Sequence, residues 1–107
     1  MKKEAKPFIF DIFESINKIE NYTKNISKPK FFKNSKLQDA VIRRIEILGE
    51  ATKNIPEEFR KIHPEIRWSE IAKTRDKLIH GYFGINLERV WVIIKQDLPD
   101  LKKKIRN

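Results

Sequence analysis

The chain of 107 residues contains no cysteine, which excludes disulfide bonds and thiolate metal sites and fits a reducing cytoplasm. Its longest uninterrupted apolar run covers residues 90–94, far too few to span a membrane. A short apolar stretch near the first residues is interrupted by Asp11, so it does not resemble a signal peptide. We therefore expect a single cytoplasmic domain over residues 1–107 with no membrane segment.

Glycine is also scarce, with three residues in the chain, and runs typical of β-strands are few, which favours helices. Apolar spacing and capping signals predict four main helices and a short one, at about residues 7–22, 35–54, 56–63, 70–80 and from 87 onward. Residues 25–34, which are polar and interrupted by Pro29, are expected to form a loop. Asn34 or Ser35 is expected to cap the second main helix and Ser69 the fourth of these helices, and Pro99 is expected to kink or divide the last. Short connections then predict an all-α fold, an antiparallel up-and-down bundle of four main helices plus a short helix.

Metal ligands and phosphate loops are lacking too. The chain has two histidines, His63 and His80, far apart and without paired carboxylates at ligand spacing, so we expect no metal site. No glycine-rich phosphate loop is present, so nucleotide binding of that kind is not expected.

What the chain does have is positive charge. Its formal net charge is +9 at pH 7, which raises the local concentration of polyanions and makes nucleic acid the first candidate partner. A lysine-rich surface with no binding role is the alternative.

The most informative segment is residues 75–82, where Arg75, His80 and Tyr82 lie close together in the sequence. A guanidinium binds phosphate oxygens through a planar fork, and an imidazole can give or take a proton near neutral pH. Arg75 falls in the middle of the apolar face of its predicted helix, where a charge is costly unless it is paired or reaches water. It is expected either to line an aqueous cleft or to pair with an acid such as Glu46 or Glu50.

His80 follows Arg75 by five residues, so a regular helix would separate the two side chains by about 140°. Gly81 could end the helix and redirect the chain, or the two residues could act together across a dimer interface. His80 could also simply cap the helix. Lys73 and Lys77 flank the motif and are candidate contacts to a phosphate backbone.

Arg44 lies inside the apolar stripe of the second main helix. It could face the same cleft as Arg75, or it could pair with an acidic neighbour.

The pattern Arg75-x-x-x-x-His80-x-Tyr82 resembles the signature of HepT-like proteins, in the HEPN superfamily. The resemblance extends to residues 40–51, which are similar to the second-helix block of that family, and to residues 66–71, which lead into the motif. Val90-Trp91 and residues 97–101 resemble its C-terminal helix. The match covers roughly residues 8–105 of a single HEPN domain.

This resemblance implies a homodimeric, metal-independent ribonuclease without cofactors, acting as the toxin of a toxin–antitoxin pair. The antitoxin implied is a minimal nucleotidyltransferase, thought to transfer AMP to the motif tyrosine, here Tyr82. The family commonly has asparagine directly after the motif arginine, whereas this chain has Asp76. A carboxylate at that position could pair with Arg75 or repel phosphate.

The expected mechanism places the motifs of two protomers in one basic cleft. Arg75 holds the scissile phosphate of RNA, and His80 moves protons between the 2′-hydroxyl and the leaving 5′-oxygen. One alternative is a weak or inactive module that binds RNA or the nucleotidyltransferase without cutting. Another is a helical adaptor whose second apolar face, with Phe10 and Phe13, binds a protein.

Overall fold

A computed structural model describes residues 4–78 and 84–106 of the chain. The prediction of an all-α fold is confirmed, while the antiparallel arrangement of a bundle stays a prediction. In the part of the chain that is described, no helix is both long and apolar enough to cross a membrane. The helices are α1 (Lys6–Tyr22), α2 (Lys28–Phe32), α3 (Ser35–Lys53), α4 (Glu57–Ile62), α5 (Trp68–Ala72), α6 (Thr74–Leu78), α7 (Leu87–Val92) and α8 (Leu98–Arg106), with a π-helical segment, Ile93–Asp97, between the last two.

Helix α3 is the centre of the fold and contacts α1, α2, α5 and α6. Its predicted cap is confirmed, because Asn34 Oδ1 accepts a hydrogen bond from the Leu37 N–H at 3.0 Å. The predicted stripes of α1 and α3 supply much of the core: Ile12, Ile16, Ile19, Val41, Ile45 and Leu48 are all at most 1% exposed. On the other face of α1, Phe10 is 62% exposed, so the second apolar face predicted for this helix is open to solvent.

The prediction that residues 25–34 form a loop is wrong, because α2 lies within them. Ser27 caps this helix by accepting from the Lys30 N–H at 3.3 Å, and Pro29 sits in the first turn, where its missing N–H costs nothing. Phe31 is fully buried. Pro29 therefore lies at the beginning of a helix instead of interrupting one. The helix places the ring of Phe31 in the core.

The fourth predicted helix is also corrected. It starts at Trp68 rather than after a cap at Ser69, and it is divided at Lys73 into α5 and α6. The Thr74 hydroxyl donates to the Ile71 carbonyl at 2.6 Å, and a side chain that bonds a nearby carbonyl competes with the helical ladder. Because the helix is divided at Lys73, residues before and after this position do not share the faces that one regular helix would give them.

Pro99 divides the last helix, as predicted. Proline cannot donate to the carbonyl four residues earlier, and the residues just before α8 adopt the π-helical pattern instead. A π-helical turn is a recognised way to absorb such a defect without ending the helix.

Helix α5 approaches α3 closely at Gly49. A Cβ atom added to Gly49 would lie 3.4 Å from the Ala72 carbonyl oxygen and 3.8 Å from that of Ile71. A methyl group therefore fits there at ordinary contact distance. Gly49 is buried, so the absence of a side chain sets how near α5 and α6 lie to α3.

We expect Gly49→Ala to raise the free energy of unfolding by about 0.5–1 kcal/mol, because alanine favours the helix interior and its methyl is accommodated. Gly49→Leu should lower it by about 1–3 kcal/mol by forcing α5 away. Urea denaturation of both variants measures the difference. Equal stability of the two would show that the approach at Gly49 is not tight.

Candidate functional site

Arg75 lies on α6 and reaches solvent rather than the core. Its side chain is 52% exposed, and its Nε donates to Glu46 Oε2 on α3 at 3.1 Å. Glu46 is itself 33% exposed. Of the two situations expected for Arg75, an aqueous cleft and an acidic partner, the structure contains both.

Arg75 and Glu46 line a cavity of about 530 Å³ formed by α1, α3, α5 and α6, which we call the arginine cavity. Its volume is within the range of about 300–1,000 Å³ typical of small-ligand sites. The lining combines three cations with four carboxylates: Arg43, Lys53 and Arg75, and Asp11, Glu46, Glu50 and Asp76. An anion entering here would meet Arg75 beside a fixed carboxylate.

The residues next to Arg75 divide between two faces of α6. Asp76 lines the arginine cavity with Arg75. Lys77 lines a different cavity, which α7 and α8 help to form. Lys73 is exposed at the division between α5 and α6. The structure therefore brings Arg75 and Asp76 together and places Lys77 on the other side of the helix.

Arg44 occupies the α1–α3 interface. Its Nη2 donates to Ser15 Oγ at 3.1 Å, and Ser15 is fully buried. Within the described residues its Nε is buried and has no hydrogen-bond partner. The described contacts of Arg44 include no acidic neighbour, and it does not line the arginine cavity.

His80, Gly81 and Tyr82 lie outside the described residues. The described chain on either side is held together, because the Asn86 N–H donates to the Leu78 carbonyl at 2.7 Å. Leu78 itself is fully buried. This hydrogen bond places Asn86 beside the C-terminal end of α6.

Sequence reasoning named Glu46 only as an alternative partner and missed Arg43 and Lys53. The signal was present, because residues 43, 46, 50 and 53 follow the spacing of one helical face. Charged residues on such a face are usually only solvated. These residues line the same cavity as Arg75 because α5 and α6 pack on α3. The spacing within α3 alone does not predict that packing.

No group of three or more His, Cys, Asp or Glu residues among those described could hold a metal ion. The arginine cavity instead offers guanidinium, ammonium and carboxylate groups. These groups can form hydrogen bonds and ion pairs with a ligand, and Arg75 is the guanidinium held in place by a carboxylate.

A family model described as ribonuclease HepT-like matches residues 12–107. The chain is 49% identical over 104 residues to a probable ribonuclease HepT of Thermococcus cleftensis, covering 97% of this chain and 94% of that protein. It is 50% identical over 105 residues to a gamma-glutamylcyclotransferase and putative RNase of Methanocaldococcus jannaschii, where the match covers 98% of this chain but only 47% of the relative. A putative RNase of Caldanaerobacter subterraneus is 40% identical over 104 residues, with 97% and 93% of the two chains covered. The search of solved structures gave no significant match.

A double-mutant cycle with Arg75→Met and Glu46→Gln should give a coupling energy of about 0.2–1 kcal/mol, because both side chains are substantially exposed. Urea denaturation of the four proteins measures it. The pair Lys61–Glu57, at 4.0 Å and with side chains 76% and 82% exposed, provides the baseline. A coupling of about 3 kcal/mol or more would instead identify a structural ion pair of the buried kind.

Proposed function

Because the chain belongs to the HepT-like ribonuclease family, we propose that it is a metal-independent endoribonuclease of the HEPN type. It cleaves RNA by attack of a 2′-hydroxyl on the adjacent phosphate and serves as the toxin of a cytoplasmic toxin–antitoxin pair. The observation that carries this proposal is that the motif arginine of this family lies half-exposed in a cavity, held by a carboxylate.

Arg75 is the phosphate ligand. Its guanidinium has five N–H donors, so the contact of Nε with Glu46 leaves donors for a second acceptor. The contact with Glu46 fixes the orientation of the planar guanidinium group. Less side-chain conformational entropy is therefore lost when a phosphate binds. Charge that develops on the phosphate oxygens in the transition state is stabilised by a donor already in place.

His80 supplies the proton transfers, from the attacking 2′-hydroxyl and to the leaving 5′-oxygen. His80 follows Leu78 by two positions in the sequence, and Leu78 is the buried last residue of α6. A homodimer brings two copies of Arg75 and His80 to one cleft, so that the acid and base roles can be divided between protomers. The products are a 2′,3′-cyclic phosphate and a 5′-hydroxyl.

The cognate partner is a minimal nucleotidyltransferase antitoxin that transfers AMP to Tyr82. The transferred phosphate adds negative charge beside the motif, where the phosphate of RNA has to bind. The net charge of +9 supports RNA as the natural ligand of the unmodified protein. A reading frame for a small nucleotidyltransferase beside this gene would support the pairing.

Purified protein should cleave single-stranded RNA with EDTA present and leave DNA of the same sequence intact. Arg75→Ala and His80→Ala should each lower the rate by at least about 10²-fold, the usual contribution of one catalytic proton donor or oxyanion ligand. Gel analysis of end-labelled strands measures the rate. The control variants are Arg106→Ala and His63→Ala, which remove the same groups elsewhere. A folded His80→Ala protein that cuts at the original rate would refute the mechanism.

A module that binds RNA without cleaving it is the second candidate, and Asp76 favours it. This carboxylate lies in the arginine cavity beside Arg75, where it opposes the approach of a phosphate.

If Asp76 only weakens catalysis, Asp76→Asn should raise the cleavage rate about tenfold and lower KM more than it changes kcat. If the chain is a binding module, neither protein will cut. Both will then bind RNA with an affinity that falls steeply as salt rises. Cleavage and binding assays on the same two proteins separate these outcomes.

A further inference from the structure

A second cavity lies on the opposite face of α5 and α6 from the arginine cavity. It has a volume of about 400 Å³ and is enclosed by these two helices, by α3 and by the segment that runs from α7 through the π-helical turn to α8. We call it the lysine cavity, after Lys77 on its rim. Its size again suits a small ligand or one building block of a polymer.

The floor of the lysine cavity is apolar. Leu48, Ile93 and Leu98 line it, and each is at most 4% exposed. Flat, weakly polar groups such as nucleobases bind to surfaces of this kind because their faces lose water there.

The rim is charged, and its charges are nearly balanced. Four cations and three carboxylates line the cavity, and three of the cations lie at N···O distances of 3.0–3.9 Å from a carboxylate. Lys77 is the exception, since no carboxylate partner is found for it among the described residues. Its ammonium group is the rim cation available to a ligand.

The geometry points to the lysine cavity as a subsite for one unpaired nucleotide of an RNA strand that also crosses the arginine cavity. Lys77 binds the phosphate of that nucleotide, and the base packs on the apolar floor. This inference rests on the proposed function for the nature of the ligand. It adds a second contact on the strand, separated from Arg75 by the width of one helix, about 10–12 Å.

Rim carboxylates fit the same ligand. Asp97 lies 3.9 Å from Arg89, a loose pair whose oxygens can still accept a hydrogen bond from the amino group of a base or from a 2′-hydroxyl. Bases stacked in a duplex could not enter, so the subsite selects single strands. A small apolar molecule would form no ion pair with Lys77, and an isolated phosphate would bury no apolar surface on the floor. A nucleotide uses both features of the cavity.

The test measures binding of a short 2′-O-methyl RNA strand, which cannot be cut because its 2′-oxygen is blocked. Fluorescence anisotropy gives the Kd for the wild-type protein, for Lys77→Ala and for Lys24→Ala. Lys24 is a matched control, since it is exposed, carries the same charge and lines neither cavity. Lys77→Ala should raise the Kd about threefold to tenfold and lower the salt dependence by about one phosphate contact. Lys24→Ala should change the Kd less than twofold.

The floor is tested by removing single bases from the strand. If one base packs in the cavity, an abasic nucleotide at one position should weaken binding to the wild-type protein about tenfold, and at other positions much less. The penalty at that position should shrink in Lys77→Ala, because the two contacts hold the same nucleotide.

Equal effects of Lys77→Ala and Lys24→Ala, or no position that is sensitive to base removal, would overturn the subsite. A wild-type protein that cuts RNA but shows either result keeps its proposed function and loses this inference. A protein that never cuts, yet shows the Lys77 and base-removal effects, keeps the subsite and loses the nuclease function. Failure of the wild-type protein to bind the strand overturns the subsite as well.

Discussion

The packing of α5 and α6 against α3 is the contact on which the candidate site depends. At Gly49 the two parts of the chain lie close enough that an added Cβ atom would be 3.4 Å from the Ala72 carbonyl oxygen. Glu46 lies three residues earlier, on the same face of α3. The approach at Gly49 therefore places the carboxylate of Glu46 within hydrogen-bond distance of Arg75, and a wider spacing would leave both groups in solvent.

The arginine–glutamate pair contributes orientation more than stability. Both side chains are partly exposed, and pairs of this kind stabilise folded proteins very little. Arg44 differs, since its guanidinium enters the α1–α3 interface and donates to buried Ser15. One arginine thus takes part in the packing of the domain, and the other is presented at a cavity. Arg44 and Arg75 carry the same charge, and their different roles follow from the residues that surround them.

Local signals in the sequence were sufficient for most of the helices. Asn34 and Asn86 cap the helices that follow them, and Pro99 divides the last helix, because each effect depends on a few adjacent residues. Two elements could not be predicted in this way. Burial of Phe31 favours a helix where Pro29 indicated a loop, and the Thr74 hydroxyl divides a segment whose apolar spacing indicated one helix. The arginine cavity requires four helices to meet, so sequence spacing could identify Arg75 but not its surroundings.

The shortness of α6 has a consequence for the position of Arg75. A helix of five residues is not stable by itself in water, so it keeps its shape through its contacts with α3, α5 and α7. Such a segment can loosen at a much lower free energy than the long helices around it. The orientation of the Arg75 guanidinium is therefore set by the helices packed against α6 and not by the intrinsic stability of α6 itself.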